Sequence, residues 1–273
     1  MQTKKIIGPS IIFALLLLLY FPTFCWMVNS WLHCDYYSHG FLILPISGFI
    51  IWRRRHELSE RAPFPRGIWV LLSGLALYVG GFLYASNLLC ALSLLLVLPG
   101  LVLYFRGKKA LRALAFPLCF LIFMIPLPFL DKPGFLLQLF SARSSAWIIE
   151  LMGIAVTRTG AEIELENASF VVGMPCGGMN SLISLLALAA LFAYIMKGPF
   201  PRKVTLFVLA IPTAIFANLL RLVSLLLIGN HWGSDAAMGF LHGFFSPLYF
   251  VVSIICLVLL AILLRFSFRE AAE

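Results

Sequence analysis

Long apolar runs separated by short polar steps recur along the whole chain. A helix needs about 20 apolar residues to cross the hydrocarbon of a bilayer, and runs of this kind read as such helices. The pattern predicts spans at about Ile6–Trp26, at Phe41–Trp52 with some flanking residues, at Gly67–Tyr84, and from the Ser86-Asn87 step to about Phe105. A fifth is expected over about Ala113–Leu130, kinked by Pro117, Pro126 and Pro128 because proline removes a helix donor. Three more are expected at about Gly178–Met196, Val204–Ile228 and Phe244–Leu264, with a loop from Gly229 to Gly243 between the last two.

One segment, Asp131 to Pro175, breaks this rhythm. Gly134–Val156 is apolar but interrupted by Gln138, Arg143, Ser144, Ser145 and Glu150, which predicts an interfacial or re-entrant amphipathic helix. Gly160–Val172 alternates Ile163 and Leu165 with Glu162, Glu164 and Glu166. It then turns at Asn167-Ala168-Ser169 into Phe170-Val171-Val172, the pattern of a small β-hairpin. The fold expected is therefore an all-α integral membrane protein of about eight spans. It has one interfacial or re-entrant helix and a small extracytoplasmic hairpin, and residues 1–273 form a single multi-pass domain.

Composition agrees with this. The chain is 62% hydrophobic and 11% charged, with a mean hydropathy of +1.02, more apolar surface than a soluble domain can hide. The first run follows Lys4 and Lys5 without a small-residue cleavage site, so a retained helix is expected. A net charge of +9 would suggest nucleic acid in a soluble protein; here its distribution orients the chain. With the N-terminus inside, all but Lys132, Arg143, Arg158 and Arg221 of the 20 basic residues fall on cytoplasmic steps. Both termini are then cytoplasmic. The Asn29–Gly40 stretch, the hairpin and the Gly229–Gly243 loop share the outer face. The six cysteines form no CxxC pair and no metal-ligand spacing, so neither metal nor other cofactor is expected.

The chemistry centres on Phe170–Ser181, F-V-V-G-M-P-C-G-G-M-N-S. A membrane cysteine is ordinarily a small buried hydrophobe. Cys176, however, is expected at a helix N-terminus, where the dipole and open N–H groups favour a thiolate. Gly177 and Gly178 leave the backbone open to a substrate and to oxyanion-hole amides, and Pro175 fixes the helix entry. Arg221, in A-N-L-L-R-L-V-S, is costly within a span and calls for a cavity or partner. Asn218 and Ser224 at i−3 and i+3 extend a polar stripe along its helix. A cysteine nucleophile also needs a general acid for the leaving amine, usually histidine. His33, His39, His231 and His242 all lie on the outer face, and chemistry alone does not choose among them. His39, with Asp35 and Ser38 nearby, is the strongest rival to His242. Glu162, Glu164 and Glu166 read as the solvated face of the hairpin.

Five stretches together resemble the exosortase family, bacterial membrane relatives of the archaeosortases. They are Tyr36–Arg55 (Y-Y-S-H-G-F-L-I-L-P-I-S-G-F-I-I-W-R-R-R), Phe123–Pro128 (F-M-I-P-L-P), the C-G-G-M-N-S-L-I-S-L-L-A-L block from Cys176, Ala217–Val223 (A-N-L-L-R-L-V) and Gly239–Gly243 (G-F-L-H-G). The resemblance covers nearly the whole chain. It implies a transpeptidase-like enzyme whose triad would be Cys176 (nucleophile), Arg221 (thiolate and oxyanion stabiliser) and His242 (general acid/base). Gly177, Gly178, Asn180, Asn218, Ser38 and His39 would line the substrate site. Substrates would be exported proteins with a C-terminal tripartite signal: a short motif of the PEP-CTERM type, a transmembrane helix and a basic cluster. The setting would be the bacterial cytoplasmic membrane with the site on its outer face. Where the family usually has Ala-Cys-Ser-Gly, this chain has Pro175-Cys176-Gly177-Gly178, the mark of a divergent subfamily. The alternative, from a different class, is a non-catalytic membrane component of exopolysaccharide assembly or export, in which Arg221 lines a passage and Cys176 packs.

Overall fold

The computed structural model describes residues 3–58 and 62–268, with backbone alone at 3–10, 13, 35, 174, 175, 236, 238–246, 267 and 268. It divides into two compact units, Met1–Pro128 and Phe129–Glu273. Arg61 and Arg269, used in the charge argument, lie outside the described residues.

The first unit contains α1 (Thr3–His33), α2 (Gly40–Arg53), α3 (Gly67–Leu83), α4 (Asn87–Arg106) and α5 (Lys108–Phe120). Helix α1 continues through Asn29–His33, which the polar pattern had assigned to a loop. Ser30 Oγ donates to Trp26 O at 3.0 Å and His33 Nδ1 bonds Asn29 O at 2.9 Å, so these polar side chains are satisfied within the helix. Helices α3 and α4 pair as a hairpin along Gly67, Gly74 and Gly81, all buried and seven residues apart. A Cβ at Gly74 would lie 2.8 Å from Val97 N, and one at Gly100 2.6 Å from Leu71 N. Small residues let the backbones touch, the usual way helices associate where lipid weakens hydrophobic attraction.

The expected fifth span is corrected at both ends. Helix α5 begins at Lys108, so Lys108, Lys109 and Arg112 are helical, and it stops at Phe120. Residues Leu121–Met124 form a 3-10 turn, and Pro126 and Pro128 follow, neither able to donate to a continuing helix.

The second unit holds α6 (Asp131–Leu151), strands β1 (Val156–Thr159), β2 (Glu162–Leu165) and β3 (Ser169–Val171), then α7 (Met179–Ile195), β4 (Met196–Lys197), α8 (Phe200–Leu263) and β5 (Ser267–Phe268). The hairpin is present as β2–β3, with Ile163 opposite Phe170 and both buried, while Glu164 is exposed. A third antiparallel strand, β1, joins it with Val156 opposite Leu165. The expected interfacial helix had absorbed the start of β1, although Val156, Thr157 and Thr159 are β-branched and suit a strand.

Helix α8 runs 64 residues and would be about 96 Å long if straight. Its ends nevertheless meet: β4, just before it, pairs with β5, just after it, Met196 opposite Phe268. The chain therefore folds back on itself. Gly233, with φ 84° and ψ 167°, breaks the helix within the reversal. Leu206, Ala210 and Ala214 of the outgoing arm share a buried cluster with Leu257 and Ala261 of the returning arm. Ser224 Oγ and Tyr249 OH are hydrogen-bonded between the arms. The Gly229–Gly243 loop of the sequence reading is thus helical on either side of Gly233, and His242 is on a helix.

Among the described residues, Ala14–His33, Asn87–Arg106 and Phe200–Asp235 are long and apolar enough to cross a membrane, and Gly40–Arg53, Gly67–Leu83, Met179–Ile195 and Pro247–Leu263 are shorter apolar helices. Large apolar side chains such as Leu18, Phe82, Leu83 and Leu263 stand exposed on these helices, the arrangement that lipid, not water, accommodates. The chain is an all-α membrane protein carrying a small sheet.

Candidate functional site

Cys176 is not on the first turn of a helix. It belongs to a 3-10 turn, Met174–Gly177, that leaves β3 and ends at Gly178 in the left-handed conformation (φ 97°, ψ −1°); only then does α7 start. The half-buried Cys176 packs on a cluster that includes Ala142 and Ala146 of α6, Phe170 of β3, Val172 just after it, and Leu222 of α8.

The turn is held from two helices. From α8, Arg221 Nη2 donates to the carbonyl oxygen of Cys176 at 3.0 Å. From α6, Ser141 Oγ donates to Gly177 O at 3.1 Å, and Gln138 Nε2 donates to Val172 O. Asn218 Nδ2, one helical turn before Arg221, donates to Ser141 Oγ at 3.3 Å. Gln138, Ser141 and Asn218 are all buried. Two acceptors in this layer, Gln138 Oε1 and Asn218 Oδ1, are buried without a hydrogen bond among the described residues.

Both glycines after the cysteine have a packing reason. A Cβ on Gly178 would come within 2.7 Å of Asn218 Cγ and Nδ2, in addition to needing a positive φ. A Cβ on Gly177 would lie 3.0 Å from Cα and Cβ of Gln138. The glycine standing where the family has serine therefore lets this turn seat against the α6 backbone. Gly177 N–H donates to Gly173 O at 3.0 Å, as does that of Cys176.

Cys176, Gly177, Gly178, Asn218 and Arg221 thus come together, with Asn180 half-buried on the first turn of α7. Ser38 and His39 belong to the first unit. Ser38 is exposed, and His39 bonds Phe123 O through Nε2 at 3.0 Å. Burial holds the His39 imidazole below its ordinary range, against the opposing pull of the Phe123 and Tyr36 carbonyls. His33 and His231 are exposed, the latter beside the Trp232 ring. The side chain of His242 lies outside the described residues.

Sequence reading missed Gln138 and Ser141 as parts of this cluster. Their signal was present: Gly134, Gln138, Ser141, Ala142, Ser145, Ala146 and Ile149 recur at helical spacing and form the buried side of α6, while Phe135, Leu136, Phe140 and Trp147 face outward. The polarity is inverted relative to a soluble helix, with small and polar residues inward.

Fold and site together define a multi-pass membrane protein that holds a cysteine against an arginine borne on an apolar helix. The family model for transmembrane exosortases matches residues 31–259, and the chain belongs to that family. No curated protein and no solved structure gives a match.

Proposed function

We propose that this protein is a membrane-embedded cysteine peptidase or transpeptidase acting on exported proteins with a C-terminal sorting signal of the PEP-CTERM type. The Cys176 thiolate attacks a peptide carbonyl just outside the membrane, forming a C–S bond and a tetrahedral oxyanion. Arg221 and amides of the Gly177–Gly178 segment stabilise that oxyanion. Collapse breaks the C–N bond, and His242, carried over from the family motif, gives the leaving amine its proton. The thioester then passes its acyl group to water or to an acceptor nucleophile, regenerating the thiol.

The observation that carries this reading is the Arg221–Cys176 contact at 3.0 Å. An arginine on an apolar helix costs at least a few kcal/mol to bury, and one of its five donors is spent on the residue a nucleophile would occupy. The orientation follows from charge. Pairing of β4 with β5 gathers Lys197 and the chain just past Arg265 at one end of the second unit, and a basic end is expected in the cytoplasm. The reversal of α8 meets the three-stranded sheet at the other end: Asn167 Nδ2 donates to Asn230 O at 2.9 Å and Ser169 N–H to Ser234 Oγ at 3.2 Å. That end would face outward in the bacterial cytoplasmic membrane, with both termini inside.

The test is Cys176→Ser and Cys176→Ala in cells co-expressing a protein with the C-terminal signal. Both variants should leave it unprocessed. Processing by both would end the enzymatic reading.

A further inference from the structure

The first unit is polarised from end to end. The stretches 34–40, 84–87 and 121–128 at one end carry no lysine or arginine. At the other end, 53–66 and 106–112 carry nine, against two carboxylates, Glu57 and Glu60. Such charge would orient the chain however loosely it lay on these steps. Here the fold also gathers it. Arg54 Nη1 donates to Ala113 O at 3.3 Å and pairs with Glu57, and Arg106 Nη1 donates to Leu58 O at 2.5 Å. Lys108 Nζ stands 4.4 Å from the centre of the Phe64 ring, and Phe64 N–H donates to Leu103 O at 3.3 Å. These tethers hold Leu58 and Phe64 at the junction of α4 and α5, with Arg53, Arg55, Arg66, Lys108, Lys109 and Arg112 exposed around it. Helix α5 opens there without an acid on its first turn, so its dipole adds to the same sign.

Aromatic side chains mark the depth of this end. Trp52, Trp69, Tyr104 and Phe105 are exposed, each close in sequence to Arg53, Arg66 or Arg106, as at the boundary between hydrocarbon and water. On the last turn of α2 the Phe49 and Trp52 rings lie 5.9 Å apart, and the Arg55 guanidinium stands 4.6 Å from the Trp52 centroid. An exposed apolar strip therefore runs directly into exposed cations. From this juxtaposition we infer that the basic end of the first unit is a binding site for the headgroup of an anionic phospholipid. The cations take the phosphodiester, and an acyl chain follows Phe49 and Trp52. A free phosphate would use the cations alone; the apolar strip serves only a ligand that also carries chains. Each cation near an anionic surface is worth about a fivefold change in binding.

The test uses the full-length protein in vesicles of phosphatidylcholine and phosphatidylglycerol, with one lipid or the other brominated on its acyl chains. Quenching of tryptophan fluorescence gives the relative affinity for the two headgroups, the Trp52 share being taken by difference from Trp52→Phe. Wild type should prefer phosphatidylglycerol by about tenfold or more at low salt, and raising the salt should shrink that preference. Arg53, Arg66 and Arg112 take no part in the tethers described above. Arg53→Gln/Arg66→Gln/Arg112→Gln should bring the preference to within about twofold of none, and each single change should lower it about two- to fivefold. The matching changes to lysine keep the charge and should retain it. Lys132→Gln/Arg143→Gln/Arg158→Gln removes equal charge from the second unit and should leave it unchanged. Equal quenching by the two lipids in wild type overturns the inference and leaves the cations to solvent or an acidic protein. A preference that survives the triple glutamine change, or is lost equally in the second-unit control, overturns it too. So does abolition by soluble glycerol phosphate, which would show a site for a free phosphate.

Discussion

Replacing Gly178 with alanine tests the packing of the site directly. Gly178 sits at φ 97°, and an added Cβ would meet Asn218 Cγ and Nδ2 at 2.7 Å. The left-handed conformation alone costs an L-residue about 1–2 kcal/mol. Asn218 cannot swing aside without losing its bond to Ser141, so the overlap adds an overpacking cost of about 1–3 kcal/mol. The sum is about 2–5 kcal/mol. Gly160 provides the control, because it too has a positive φ, 65°, and open space within 4 Å of its Cβ position. Gly160→Ala should cost only the conformational part, about 1–2 kcal/mol. Both substitutions stiffen the unfolded chain alike, so that effect cancels in the comparison. Equilibrium unfolding of the purified variants in detergent micelles measures both. Asn218→Ala removes the two closest atoms, and the Gly178→Ala/Asn218→Ala pair should cost less than the sum of the single changes by about 1 kcal/mol or more. Equal costs for Gly178→Ala and Gly160→Ala, or strict additivity in the cycle, would refute the account of the turn.

Gly177→Ser restores the family's residue and should destabilise this protein by about 1–3 kcal/mol in the same unfolding assay, because its Cβ meets the α6 backbone at Gln138 at 3.0 Å. A neutral or stabilising result would remove the packing explanation for the glycine. His39 predicts a pH effect in the first unit. Its folded-state pKa lies below the ordinary value of about 6.5, so the unfolded chain takes up a proton first as pH falls. The stability it contributes is complete above about 6.5 and is lost as pH drops through the folded-state value. Thermal unfolding in detergent at pH 7.5 and pH 5 should therefore show a larger acid loss for wild type than for His39→Gln, and equal losses would count against the burial argument.

The spans were legible because their signal is length and apolarity, which lipid demands wherever a helix crosses it. Ends were harder to place. Asn29–His33 reads as polar loop, yet Ser30 and His33 bond carbonyls of the preceding turn and the helix continues. The α8 reversal was misread in kind, because Gly229–Gly243 carries polar residues and glycines that suggest a loop, while a single non-helical residue, Gly233, breaks an otherwise helical stretch. Strand β1 was lost because four residues cannot show an alternation of their own, and only the register with β2 reveals it.

The site was legible in its costly residues and not in its inexpensive ones. Arg221 and Cys176 are conspicuous against an apolar chain, whereas Ser141 and Gln138 look like interruptions of a helix until its inward side is known. The reason lies in the solvent. In water a polar residue on an amphipathic helix is read as facing out; with lipid outside, the same residue is stable only when it turns inward and finds a partner. For Gln138 and Ser141 of α6 the partners are the carbonyls of Val172 and Gly177, on either side of the cysteine. Locating Cys176 before α7, in a 3-10 turn of its own, changes the electrostatic argument as well. A cysteine on the first helical turn would draw mainly on the macrodipole, a diffuse field worth about 0.3–1 kcal/mol at an exposed site. The Cys176 turn has instead Arg221 on the Cys176 carbonyl and α6 side chains on the carbonyls of Val172 and Gly177, and those α6 residues are the ones the apolar pattern concealed.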